Sequence, residues 1–227
     1  MATTQTHRNA AHRSPLTRER ILRAALVLVD AGGIESLSMR KLGQKLGVEA
    51  MSLYNHVANK DDILDGIVDL VFSEIALPSG RPEWKKAMRR RAISVRDVLL
   101  RHPWATSVMQ SRTKPGIATL RHNDSVLRTL RGAGFTIDMA AHAFSVMDGY
   151  IYGFALQQIN LPSQTSEEAI ELAENILGEL PADEYPHLAE MLTEHAMKPG
   201  YDYADEFEFG LDLILDGLER LRAPQPS

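Results

Sequence analysis

The chain has 227 residues, 44% of them hydrophobic and 24% charged, which is enough apolar material for a sizeable core, and its formal charge is −5. It contains no cysteine, so disulfides, thiolate metal sites and cysteine nucleophiles are excluded. Its first sixteen residues are polar and basic, and no run of eighteen apolar residues follows, so neither a signal peptide nor a membrane span is expected and the chain reads as cytoplasmic.

The charge is unevenly placed. Residues 1–60 hold nine Lys/Arg against four Asp/Glu, and the remaining 167 hold sixteen against twenty-six. A basic head on an acidic body suits a protein that meets phosphates at one end only. Residues 1–15 have no periodicity and read as a disordered arm, whose Arg8 and Arg13 could reach a DNA minor groove.

From Thr17 the pattern turns helical, with Ile21, Ala24, Ala25, Leu28 and Val29 on one face and Ala31-Gly32-Gly33 as the stop. Ser36 to Val57 then reads as two short helices joined at Leu46-Gly47-Val48, with Ser38 as an N-cap and Leu42 and Leu46 facing inward. That is the build of a helix-turn-helix, whose second helix can enter the major groove. Gly43 costs about 1 kcal/mol relative to alanine inside a helix, which makes sense where the next helix crosses too closely for a side chain.

Asn59-Lys60-Asp61-Asp62 starts a further helix, with Asn59 as N-cap and apolar rows at Ile63, Ile67, Val71, Ile75 and at Leu64, Val68, Phe72. Pro78-Ser79-Gly80-Arg81-Pro82 is the expected seam between this head and the body. The body is helical throughout, without alternating strand patterns. Helices are expected from Trp84 to Leu100, from Ile117 to Leu130 before Gly132-Ala133-Gly134, and from Ile137 to Asn160, with a short segment at Trp104–Gln110. A charged helix at Glu167–Leu180 lies between loops containing Pro181 and Pro186. The last helix, Tyr203 to Arg222, carries Phe207, Leu211, Ile214, Leu218 and Leu221 at spacings of 4, 3, 4 and 3, a heptad-like seam suited to another helix. His187, Glu190 and Glu194 share helical spacing, yet read as a solvated acidic face rather than a metal site.

Three motifs carry a resemblance. Ser-Met-Arg-Lys-Leu-Gly-Gln-Lys-Leu-Gly-Val at 38–48, Ser-Leu-Tyr-Asn-His-Val at 52–57 and Asn-Lys-Asp-Asp-Ile-Leu at 59–64 resemble the DNA-binding domain of TetR-family regulators across Thr17–Ile75. The body is similar to the C-terminal domain of the tetracycline-repressor branch at 99–104, 132–135 and 149–156. The resemblance implies an all-α fold: a homeodomain-like three-helix domain with its helix-turn-helix at 16–77 and a helical ligand-binding and dimerisation domain at 83–222; the proline-rich end, 223–227, reads from its own residues as a disordered tail. The resemblance also implies a homodimer closed by a four-helix bundle from helices 137–160 and 203–222. Phe144, Ile151 and Phe154 of the first and Phe207, Leu211, Ile214, Leu218 and Leu221 of the second are its expected interface.

The recognition helix is expected at Ala50–His56. Ser52, Tyr54 and Lys60 suit phosphate, Asn55 suits adenine, Ala50 and Met51 suit thymine methyls, and His56 is available beside them. Arg40 resembles the family's guanine-contacting arginine. In the body His102, Trp104, Met109, His142, Met147 and Tyr150 are candidate contacts for a small, largely apolar effector. The histidine and acidic partners that hold a drug–magnesium complex in tetracycline repressors are not found at Ser107–Pro115, which argues against tetracycline. No metal or cofactor is expected. The chain lacks a Gly-rich phosphate loop, a Gly-x-Ser-x-Gly elbow and a His-Glu-x-x-His motif, so it is not expected to be an enzyme. The function implied is a homodimeric repressor that binds a palindromic operator and is released by a small molecule; alternatives are a regulator without an effector, or an activator.

Overall fold

The computed structural model describes residues 15–78, 83–109, 114–162, 165–181 and 183–222. The arm, apart from Pro15, and the tail at 223–227 lie outside the described residues, as does most of the expected seam, 79–82. Regular structure within the described residues is helical: α1 (Arg18–Gly32), a 3-10 turn (Ile34–Ser36), α2 (Met39–Leu46), α3 (Ala50–Leu53) and α4 (Lys60–Glu74). Then follow α5 (Trp84–Arg101), α6 (Ala105–Val108), α7 (Ile117–Gly132), α8 (Ile137–Ile159), α9 (Ser166–Glu179), α10 (Pro186–Met191) and α11 (Tyr203–Leu221). None of these helices is long and apolar enough to cross a membrane.

The chain forms two compact units, one up to Ile67 and one from Val68 onward, so the division falls inside α4. α4 continues across it because its apolar rows are buried along the whole length, from Ile63 and Ile67 to Val71 and Ile75.

In the first unit Thr17 caps α1, its hydroxyl accepting from Arg20 N at 3.2 Å, and Ile21, Leu22, Ala25 and Val29 form the buried stripe. Ser38 caps α2 by accepting from Lys41 N at 3.2 Å. A Cβ on Gly43 would lie 2.9 Å from the Val48 carbonyl and 3.2 Å from Ala50 N, so this glycine marks the close crossing that the sequence suggested. Gly47 then ends α2 in the left-handed conformation, φ 69°. The start of α4 is closed reciprocally: Asn59 Oδ1 accepts from Asp62 N, and Asp62 Oδ2 from Ala58 N, both at 2.8 Å.

In the second unit a ladder of charge joins α5 to α11. Lys85 reaches Asp216 at 2.7 Å, Arg89 reaches Asp212 at 3.0 Å and also Glu208, and Trp84 Nε1 donates to Glu219 at 2.7 Å. Those acids recur every three or four residues, so they occupy one stripe of α11. α8 and α11 meet through aromatic rings: Tyr150 stacks on Phe207 at 5.5 Å and Phe154 on Tyr203 at 4.9 Å. The Tyr150 hydroxyl donates to the carbonyls of Glu206 and Phe207, 3.1 Å from each.

α7 is capped from another helix. Its N-cap is Gly116, which has no side chain, and Asp69 of α4 supplies the carboxylate instead, accepting from Ala118 N at 3.2 Å, Thr119 N at 2.9 Å and the Thr119 hydroxyl at 3.0 Å. α9 has a capping box between Thr165 and Glu168. α10, with its π-helical continuation Leu192–Ala196, replaces the loop expected around Pro186. Proline breaks a helix interior but is well suited to the first turn, where its missing N–H is not needed.

Candidate DNA-binding surface and body core

The helix-turn-helix is rigid on its inner side and open on its outer side. Leu42 and Leu53 have no exposed surface. α3 is shorter than expected, ending at Leu53, and His56 follows in a turn whose backbone bonds run from Tyr54 N to Met51 O and from His56 N to Leu53 O. Met51 is 75% exposed and Tyr54 46%, and Asn55 is exposed with them, while Ala50, Ser52 and His56 are half-buried. Arg40 is exposed at the start of α2 and Lys60 at the start of α4. None of the eight expected DNA contacts is buried.

Arg18 fixes the frame beneath this surface. It grips Asp62 with two bonds of 2.8 and 2.6 Å, and that hydrogen bond raises its pKa. Four other cations of the first unit are different: Arg40, Lys41, Lys45 and Lys60 form no ion pair with any described residue. Lys85, Lys86, Arg89 and Arg91 of the body are all matched to carboxylates. Unmatched cations around the α2–α3 turn leave a positive surface available to phosphate. Lys41 and Lys45 were not singled out as contacts from sequence, although the charge count already marked this segment.

The body contains a buried polar cluster that sequence reasoning missed. Arg91 has no exposed surface; its Nη2 donates to Asp148 Oδ1 at 2.6 Å and its Nε to His122 Nε2 at 3.1 Å. Accepting that bond requires a bare Nε2, so the His122 proton is assigned to Nδ1, 3.3 Å from Asn123 Oδ1. Burial, and then the Arg91 charge, lower the His122 pKa to about 4, keeping it neutral. Burial outweighs the Arg91 charge at Asp148, whose pKa is raised, and burial with Asp148 nearby also raises the Tyr152 phenol. The Arg91 guanidinium lies 5.5 Å from the Phe144 ring centroid, and its Nη1 is buried without a partner. One signal was available: Arg91 falls in the helical stripe Trp84, Ala87, Met88, Ala92, Val95, otherwise apolar and buried.

The expected effector contacts do not form a single lining. His102, Trp104, Met109 and Met147 are buried, and the His102 and Trp104 rings stand 6.3 Å apart, edge to face. His102 also lies 3.3 Å from Glu74, which pairs with Arg101. His142 is exposed on α8, and Tyr150 is occupied in holding α8 to α11. Among the expected interface residues Ile151, Phe154, Phe207, Leu211 and Leu218 are buried in the protomer's own core, while Phe144 and Ile214 are half-buried and Leu221 is 64% exposed. With Leu221, the large apolar side chains left exposed on these two helices are Ile137, Val146 and Leu156 on α8 and Phe209 and Leu213 on α11. Within the described residues no group of three His, Asp or Glu side chains could hold a metal. His187 and Glu190 are 97% and 72% exposed, 3.8 Å apart.

Comparison with known proteins covers both units. Residues 21–67 match the family described as bacterial regulatory proteins, tetR family, and residues 77–222 match the tetracyclin repressor-like C-terminal domain. The HTH-type transcriptional repressor DrrR1 of Streptomyces coeruleorubidus is 35% identical over 217 residues, covering 92% of this chain and 79% of that protein. The class C tetracycline repressor of Escherichia coli is 28% identical over 212 residues, covering 91% and 92%. Among solved structures, Streptomyces coelicolor ActR in complex with actinorhodin superposes with a TM-score of 0.76 at 29% identity, covering 93% of this chain and all of that one. A TetR variant of Acinetobacter baumannii in complex with minocycline superposes at 0.70, with 25% identity, over 94% and 98%.

Proposed function

Because this chain belongs to the TetR family of transcriptional regulators and is not an enzyme, we propose that it is a homodimeric repressor that holds a palindromic operator and releases it when a small molecule occupies the body. The observation that carries this reading is the group of unmatched cations, Arg40, Lys41, Lys45 and Lys60, around a locked helix-turn-helix. Lys60, Ser52 and Tyr54 set the register on phosphates, Arg40 reads guanine with two parallel bonds, and Asn55 and Met51 meet bases in the major groove.

The homodimer closes through the apolar row that each protomer leaves exposed on α8 and α11, Val146 and Leu156 with Phe209 and Leu213. A monomer rarely leaves such side chains unpaired along two long helices. The effector is a small, largely apolar molecule; two similar proteins hold a small molecule in their structures, ActR with actinorhodin and the Acinetobacter baumannii TetR variant with minocycline. It lodges beside the Arg91 cluster, where the unpartnered Nη1 needs an acceptor oxygen. Binding there shifts α4 and with it the distance between the two recognition helices, which the duplex spacing does not tolerate.

Operator fragments selected from genomic DNA, followed by titration of aromatic ring ligands against the complex, test this. A ligand that binds the body tightly and leaves operator affinity unchanged would refute the coupling, since linkage is reciprocal.

A further inference from the structure

Between the end of α3 at Leu53 and the start of α4 at Lys60 the chain has one buried side chain, Val57. The expected base contact Asn55 stands on one side of it and the expected phosphate contact Lys60 on the other, both exposed. Bases and phosphates keep fixed separations on a duplex, so the two contacts are made together only if this turn holds one geometry. A single apolar anchor does not fix its direction.

Arg18, at the start of α1, supplies the missing constraint. Its Nη1 and Nη2 donate to Asp62 Oδ2 and Oδ1 at 2.8 and 2.6 Å, and Nη1 also lies 3.4 Å from the His56 carbonyl. The same Asp62 Oδ2 accepts from Ala58 N at 2.8 Å. One carboxylate therefore joins the start of α1, the backbone of the turn beside Val57 and the first turn of α4. The fork of a guanidinium gives this junction a defined angle, which the point charge of a lysine does not. Arg18 and Asp62 are 45% and 28% exposed, and a pair this close to water adds little to folding stability. What it fixes is placement, and both terminal nitrogens of Arg18 are turned to the carboxylate rather than offered to DNA.

We propose that Arg18 is a positioning residue for operator recognition: acting through Asp62, it sets Lys60 against the recognition turn, and it adds to the preference for operator over other DNA without itself touching phosphate. The assignment rests on the reading of this chain as an operator-binding repressor, and it concerns a residue outside the expected DNA contacts.

The test compares binding of the full chain to an operator fragment recovered by genomic selection and to a fragment of equal length and scrambled sequence, over a series of salt concentrations. Arg18→Met with Asp62→Asn removes the junction at constant net charge, and the asparagine still offers an oxygen to Ala58 N. Operator affinity should fall about tenfold, the scale of one misread base pair, with the affinity for scrambled DNA and the salt slope unchanged. Arg18→Lys keeps the charge and loses the fork, so it should show the same selective loss to a smaller degree. A parallel loss on both DNAs, with the salt slope smaller by about 0.9 for each contact removed, would make Arg18 a phosphate contact and overturn the proposal. So would undiminished operator affinity in the double variant or, where that variant does not fold, in Arg18→Lys. Wild type that prefers no genomic fragment would overturn the repressor reading itself, an outcome told apart from the others because it appears before any substitution is made.

Discussion

At the scale of the residue, two arginines show opposite uses of one side chain. Arg40 is exposed and forms no ion pair with any described residue. Arg40→Ala should lose about 1–3 kcal/mol of discrimination at one base pair of each half-site. Gel-shift titration against single-base operator changes reads this, and a uniform loss across all sequences would reduce Arg40 to a phosphate contact. Arg91 is buried and matched on two of its three nitrogens. Arg91→Met should destabilise the body by up to about 3 kcal/mol, because the half-buried Asp148 then loses its cation, and adding Asp148→Leu should restore most of that loss. Chemical denaturation of the three proteins decides between a net stabilising pair and one that only avoids an unpaired charge. His122 gives the pair a pH signature. Its folded pKa is about 4, against 6.5 in the unfolded chain, so the unfolded chain takes up the proton first as pH falls. Its contribution is complete above 6.5 and is lost towards 4, about 3 kcal/mol across the window at about 1.4 kcal/mol per unit. Asp148 opposes the trend, since its raised pKa makes the folded form bind a proton before the unfolded one. His122→Gln keeps an acceptor for Arg91 Nε, and its denaturation midpoint should fall less between pH 7 and 5 than that of wild type.

At the scale of the element, helix ends and crossings carry the information. The Gly43 crossing was legible from a glycine in an otherwise sound helix pattern. Alanine there gains about 1 kcal/mol of helix propensity. It also drives a methyl group to 2.9 Å from the Val48 carbonyl, and a backbone neighbour yields less readily than a side chain. Gly43→Ala should therefore lower the melting temperature of the first unit, the overpacking cost of about 1–3 kcal/mol exceeding the gain. The cap of α7 was not legible, because Asp69 and Gly116 are far apart in sequence and neither matches a local capping pattern. Asp69→Ala should cost about 1 kcal/mol and speed hydrogen exchange at Ala118 and Thr119 ahead of the rest of α7. α10 stands where a loop containing Pro186 is expected from sequence, because the proline occupies the first turn of the helix rather than its interior.

At the scale of the whole molecule, the phase of α11 matters most. Phe207, Leu211 and Leu218 make a heptad-like seam, but they are buried against the protomer's own helices, and the ion pairs from Glu208, Asp212 and Asp216 to α5 fix that rotation. Phe209 and Leu213 are consequently turned outward, 66% and 58% exposed. Leu213→Glu should leave the protomer folded, halve the mass seen by light scattering and abolish tight operator binding, since one half-site alone holds few phosphates. A dimer that survives both Leu213→Glu and Phe209→Glu would place the interface elsewhere.

The amino-acid sequence by itself determined the helical class, the helix-turn-helix with its caps and crossing glycine, and the basic surface that faces outward. All of these rest on neighbours within about four residues, where periodicity, capping and charge act directly. The tertiary structure alone decided which of two apolar faces of α11 is spent inside, which arginine is buried, and which carboxylate caps α7. Burial period records only that a face meets apolar neighbours, and a charged residue or a cap finds its partner through distant segments of the chain.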